Sequence, residues 1–163
     1  MAKAADIPGL DAEMPFAEAA ARTVEVRARE LFEHSDRVLD TEDIERVHDM
    51  RVATRRLRAV LEIYAGCFPK REFRAVLRDV KDLADALGAR RDPDVQLVAI
   101  SAFEEHADPA DRPGLEAFAD RLRDEQRAGN QTLAAALATA GEHDLRARLA
   151  GLVAAARDGA GGR

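Results

Sequence analysis

Residues 47–58, VHDMRVATRRLR, place one histidine and four arginines in twelve consecutive positions of a chain whose formal net charge is −6. At 100° per residue, the period of an α-helix, four of these basic residues fall within an arc of about 80°. This first basic stripe consists of His48, Arg51, Arg55 and Arg58. The apolar residues of the segment lie on the opposite face: Met50, Ala53, Leu57, Leu61 and Tyr64. The spacing therefore predicts an amphipathic helix with one cationic side and one side that packs into a core.

A second basic stripe follows after a short loop and again occupies an arc of about 80°. It consists of Arg71, Arg74, Arg78 and Lys81. The far side of this helix is apolar: Phe73, Val76, Leu77, Val80, Leu83, Ala84 and Leu87. Consecutive helices joined by a short loop pack as antiparallel neighbours. The sequence therefore predicts that the two stripes line a common groove, provided that both faces are rotated toward the same side.

Positive charge is concentrated in residues 44–91, where twelve Arg and Lys stand against seven Asp and Glu in an otherwise acidic protein. A single arginine stripe on a helix is commonly solvated or balanced by nearby glutamates, and that interpretation stays open here. However, the balance is poor on both helices, and like charges three or four residues apart cost about 0.2–0.5 kcal/mol per pair. Guanidinium groups also bind phosphate oxygens in a bidentate manner. The two stripes together point to a polyanionic ligand.

The composition favours helix throughout. Ala, Leu, Glu and Arg dominate, aromatic residues make up 4% of the chain, and no segment alternates as a strand would. We therefore expect an all-α, antiparallel bundle of five to six helices over residues 16–157, with a loose segment at 1–15 and a disordered tail at 158–163. Cys67 is the single cysteine, which excludes an intrachain disulfide. No apolar run approaches the roughly 20 residues of a membrane span, so we expect a soluble, cytoplasmic protein.

Glycine, proline and capping signals predict the helix boundaries. The expected helices cover residues 16–38, about 41–65, 70–87, 92–106, 115–140 and 142–157. Gly88 is expected to end the third helix. Asp92-Pro93 is expected to begin the fourth, with a capping carboxylate and a proline in the first turn. Gly129-Asn130 is expected to weaken the fifth helix.

Two sequence blocks resemble the CHAD family, the conserved histidine α-helical domain. The first is VHDMRVATRRLR followed by AVLEIYAGCFP, and the second is LADALGARRDPDV, which is similar to a Leu-Gly-x-x-Arg-Asp-x-Asp-Val segment of that family. The resemblance covers about residues 16–155 and matches the first of two related halves of a full family member. It implies a helical domain that binds inorganic polyphosphate along a basic surface and associates with polyphosphate granules. A homodimer would supply the second half.

The resemblance also implies a set of polyphosphate-binding residues. It covers the first basic stripe, the second basic stripe less closely, and Arg91 in the second block. Asp92 and Asp94 match acidic positions of that block, and we interpret them as capping and arginine-orienting residues. If His48 binds as a charged ligand, affinity should rise as the pH falls.

Other functions have weaker support in the sequence. Glu45-x-x-His48 has the spacing of di-iron bundles, but no second copy appears and Arg51 would repel a cation. No Walker loop, positioned nucleophile or Mg²⁺-binding carboxylate cluster is evident, so we expect no catalysis, cofactor or metal. Nucleic-acid or generic polyanion binding remains an alternative, although stacking aromatic residues are scarce. A structural dimer with interchain salt bridges is the other alternative.

Overall fold

A computed structural model of the protein describes residues 3–161, and over this range the chain is helical without β-strands. The helices are α1 (Phe16–Glu33), α2 (Ile44–Ile63), α3 (Lys70–Glu104), α4 (Arg112–Glu142) and α5 (Leu145–Gly161), with a short 3-10 turn at Ala65–Cys67. The prediction of an all-α bundle is confirmed. None of the described helices combines the length and the apolar character needed to cross a membrane.

The core lies where α1 packs on α2 and α5, and α2 packs on α3. The apolar faces predicted for α2 and α3 point into it. Their fully buried members include Met50, Leu57, Leu61, Val80 and Leu87. Because these side chains recur every three to four residues, burying them fixes the rotation of both helices about their axes.

The largest difference from the predicted helices is at residues 88–93. The third and fourth predicted helices are one continuous helix, α3, which passes through Gly88 and carries Pro93 in its interior. An ion pair between Arg90 and Asp94, four residues apart, spans the predicted break. Pro93 is itself buried, because α4 packs against this part of α3. Tertiary packing here outweighs the cost of about 3 kcal/mol that proline imposes inside a helix.

The helix α4 is likewise unbroken at Gly129-Asn130. A Cβ atom at Gly129 would lie 3.0 Å from the Cα of Arg90 and 3.1 Å from the carbonyl oxygen of Ala89. The absence of a side chain therefore allows the backbones of α3 and α4 to approach closely. Proline at position 93 has no N–H to donate to the carbonyl of Ala89, the ordinary i−4 acceptor, and this same carbonyl faces Gly129.

The connection between α1 and α2 is longer than predicted. Arg37 has a φ of 52°, which a helix does not allow, and α1 has already ended at Glu33. Asp40 accepts a hydrogen bond from the backbone N–H of Glu42 at 3.0 Å, so it closes a local turn. That bond, together with the nearby Arg37, lowers the pKa of Asp40. Consequently α2 begins later, at Ile44.

The segment before α1 forms no helix and is attached to α1 by polar contacts. The N–H of Ala5 donates to Glu30 at 2.6 Å, and Arg22 donates to the carbonyl of Gly9 at 3.1 Å. Burial alone would raise the pKa of Glu30, but the hydrogen bond from Ala5 and the pairing with Arg27 outweigh it and lower that pKa. At the other end, α5 continues to Gly161, into the segment predicted as a tail. Residues 162–163 lie outside the described range.

Candidate functional site

The first basic stripe lies on the outer face of α2. Arg55 is exposed, and His48, Arg51 and Arg58 are half-buried. The stripe lies between two glutamates of the same helix, Glu45 at its N-terminal end and Glu62 at its C-terminal end. The Nε of Arg58 lies 3.2 Å from a carboxylate oxygen of Glu62.

Two cations of α3 reach these glutamates. The Nζ of Lys81 lies 3.6 Å from Glu62, and a guanidinium nitrogen of Arg91 lies 3.8 Å from Glu45. These contacts show that α2 and α3 are antiparallel. They bring Lys81 and Arg91 beside opposite ends of the first basic stripe.

The other members of the second basic stripe form no ion pair or hydrogen bond with the described residues of α2. Arg74 and Arg78 are exposed on α3. Arg71 lines a surface cavity of about 600 Å³ together with Arg148 and small residues of α5. Lys81 is therefore the member that the structure places against the first stripe, and Arg71 lies toward α5.

The cations of the two stripes differ from other surface cations in their pairing. Within residues 3–161, the arginine side chains that have no hydrogen bond, ion pair or ring contact are Arg51, Arg55, Arg71, Arg74, Arg78 and Arg112. All but Arg112 belong to the stripes, and His48 likewise has no such contact with the described residues. By contrast, Arg123 on α4 pairs with Asp120 at 2.6 Å. The stripes thus leave several guanidinium groups available to an external anion.

The Glu45-x-x-His48 spacing brings three ligand-type side chains together. Potential ligand atoms of Glu45, His48 and Asp49 lie within 4.8 Å of one another. However, the guanidinium group of Arg91 is 3.8 Å from Glu45, and a positive charge at that distance disfavours a metal cation. Arg91 therefore offsets part of the negative charge at this end of α2, where Asp43, Glu45 and Asp49 line a shallow surface pocket.

The sequence did not predict a buried polar network behind Arg91. Arg90 is fully buried and donates to Asp94 at 2.5 Å and to Asn130 at 3.1 Å. Gln126 donates to the same carboxylate at 2.7 Å. Asn130 continues the network by donating to the carbonyl of Leu39. The network therefore links α3, α4 and the α1–α2 connection, and the four-residue spacing of Arg90 and Asp94 is the sequence signal that indicates it.

Asp94 also contacts the candidate site. Its second carboxylate oxygen lies 4.0 Å from a guanidinium nitrogen of Arg91, so one buried carboxylate contacts two consecutive arginines. The contact with Arg91 is too long for a hydrogen bond, so the arginine that Asp94 orients by a hydrogen bond is Arg90, and its effect on Arg91 stays a prediction. Asp92 is exposed and caps no helix, because α3 does not begin there.

The fold and the site define an all-α bundle with two cationic stripes on adjacent helices. The family model described as CHAD domain matches residues 22–162. The chain therefore belongs to the CHAD family. No curated protein matches the sequence significantly.

Proposed function

We propose that this protein binds inorganic polyphosphate, without transforming it, along the first basic stripe and the neighbouring cations of α3. The observation that carries the proposal is the set of surface arginines without partners, which is concentrated on the two stripes. CHAD domains are associated with polyphosphate binding, and family membership supports the same ligand.

The arrangement of the first stripe suits a linear polyanion. Successive members lie three or four residues apart, about 4.5–6 Å along the helix axis, so their charges form a row. Arginine binds phosphate oxygens with two parallel hydrogen bonds. Each phosphate that an arginine neutralises releases counterions from the polyanion, and this release adds to affinity. Binding should therefore weaken steeply as the salt concentration rises.

The glutamates at the ends of the stripe hold its flanking cations in position. The pairs of Glu62 with Arg58 and Lys81 are exposed, and exposed ion pairs contribute about 0–1 kcal/mol. A phosphate chain therefore competes readily for these cations. We place Arg58, Lys81 and Arg91 at the edges of the binding surface, and Arg74 and Arg78 along its continuation on α3. Arg71 is the most distant member.

The decisive experiment replaces two members of the stripe and two matched arginines elsewhere. Arg51→Ala/Arg55→Ala should weaken binding of long-chain polyphosphate by about tenfold or more. It should also make the slope of log affinity against log salt concentration shallower by about one to two units. Arg123→Ala/Arg127→Ala is the matched control, because these exposed arginines have the same spacing on α4 and each is paired. Isothermal titration calorimetry measures the affinity of both variants. Equal losses in the two variants would reject the first stripe as the site.

A competition experiment tests the ligand. At near-physiological salt, polyphosphate should displace a short DNA or RNA duplex from the protein. Equal preference would reduce the function to generic polyanion binding. Loss of a dimer in Arg51→Ala/Arg55→Ala/Arg58→Ala, seen by sedimentation, would instead support a structural role for the arginines.

His48 and granule association have their own tests. Polyphosphate affinity should be higher at mildly acidic than at mildly basic pH if His48 binds as a charged ligand, and His48→Gln should then remove that difference. In cells that accumulate polyphosphate, a fluorescently tagged protein should co-localise with the granules. The Arg51→Ala/Arg55→Ala variant should remain diffuse.

A further inference from the structure

The C-terminal part of α3 has an unusual surface. Residues 95–103, VQLVAISAF, contain no charged residue in a chain of which 34% is charged. Leu97 and Ile100 are partly buried, whereas Val95, Val98 and Phe103 are 52%, 56% and 61% exposed. A helical segment that is apolar on all sides is expected to be buried on all sides.

This surface lies beyond the end of α2. Arg91 contacts Glu45, in the first turn of α2, so α3 extends about 13 residues, or roughly 20 Å, past the helix that covers it. Over that length α3 packs against α4 on one side. Within the described chain, its opposite face is exposed.

The exposed face has the spacing of a helix–helix contact. Asp92, Val95, Ala99 and Ala102 follow one another at intervals of three and four residues, and His106 continues the series in the turn after α3. We call these five residues the apolar seam. Alternating intervals of three and four are the repeat by which two helices pack side by side.

The polar residues at the two ends of the apolar seam are self-complementary. Asp92 lies seven residues before Ala99 and His106 lies seven residues after it, and neither side chain has a partner among the described residues. Val95 and Phe103 are likewise four residues before and after Ala99. Two copies of α3 related by a twofold axis at Ala99 would therefore place each Asp92 against the partner's His106 and each Val95 against the partner's Phe103.

We infer that the apolar seam is the interface of an antiparallel homodimer in which Ala99 meets Ala99 of the partner subunit. The small alanine at the axis permits close approach of the two helices. Val95 in the seam and Phe103 beside it supply the apolar contact. The inference rests on the C-terminal part of α3 and is independent of the proposed polyphosphate site.

The first test measures self-association of the full chain by sedimentation over a micromolar concentration series. The protein should form a dimer, and Val95→Asp should weaken it by about tenfold or more, because a charge replaces an apolar contact. Ile63→Asp is the matched control, since Ile63 is 67% exposed at the end of α2, outside the seam. Circular dichroism checks that both variants remain folded. A monomeric protein throughout the series, or equal weakening by both substitutions, would overturn the inference.

The second test fixes the register. In a Cys67→Ser background, Ala99→Cys should crosslink to itself under mild oxidation, because the twofold axis brings the two thiols together. Ala128→Cys, on an exposed position of α4, is the control and should not crosslink. Asp92→Lys should weaken the dimer a few-fold, and Asp92→Lys/His106→Glu should restore it. A dimer that forms without the Ala99→Cys crosslink or without this restoration would contradict the proposed register.

Discussion

The crossing of α3 and α4 and the outer face of α2 use arginine in opposite ways. At the crossing, Arg90 is excluded from water and is matched by Asp94. On α2, Arg51 and Arg55 remain accessible and have no partner within residues 3–161. A buried charge must be paired because its desolvation is costly, whereas an exposed charge remains hydrated without a partner. The comparison separates the arginines that stabilise the fold from those available to a ligand.

The largest expected effect comes from breaking the buried pair. Asp94→Ala leaves the guanidinium group of Arg90 buried without its carboxylate, and should destabilise the protein by about 3–5 kcal/mol. Urea unfolding monitored by circular dichroism measures the loss. Asp85→Ala, at an exposed position of the same helix, is the control and should change stability by at most about 0.5 kcal/mol. Similar losses in the two variants would mean that the buried pair has no special role.

The second effect concerns how closely α3 and α4 approach. Gly129→Ala places a methyl group against backbone atoms of Ala89 and Arg90, which cannot move as a side chain would, and should cost about 1–3 kcal/mol. Gly141→Ala in the same helix meets no atom within 4 Å and should stabilise the protein by about 0.4–1 kcal/mol. Thermal unfolding of the two variants measures the difference in their stability. A neutral Gly129→Ala would show that the crossing is loosely packed.

The smallest effect is expected on α2. Arg55→Gln removes an exposed charge without a partner, so unfolding free energy should stay constant or rise by a few tenths of a kcal/mol as repulsion along the stripe is relieved. The measurement should be made at low salt, where repulsion is greatest. A loss of more than about 1 kcal/mol would assign Arg55 a structural role and blur the distinction between the two regions.

The same comparison explains what the sequence could predict. Helical phase predicted both apolar faces and both stripes, because each depends only on spacing within one helix. Phase could not show that Lys81 lies beside α2 while Arg71 lies toward α5, since that depends on how helices are arranged in space. Gly88 and Pro93 indicated a helix end, and that prediction was wrong because contacts with α4 outweigh local preference. Arg90 was missed because arginine is normally exposed.

Because α3 is continuous through Pro93, it fixes the distance between the first basic stripe and Ala99. Lys81, beside the first basic stripe, lies 18 residues from Ala99, or about 27 Å at the rise of an α-helix. In the proposed dimer the far ends of the two stripes would therefore lie roughly 54 Å apart along the paired helices, and their near ends, beside Arg91, roughly 24 Å apart. A polyphosphate long enough to bridge the two stripes would gain avidity over shorter chains, so the length of one unbroken helix would set the length of ligand that is bound most tightly.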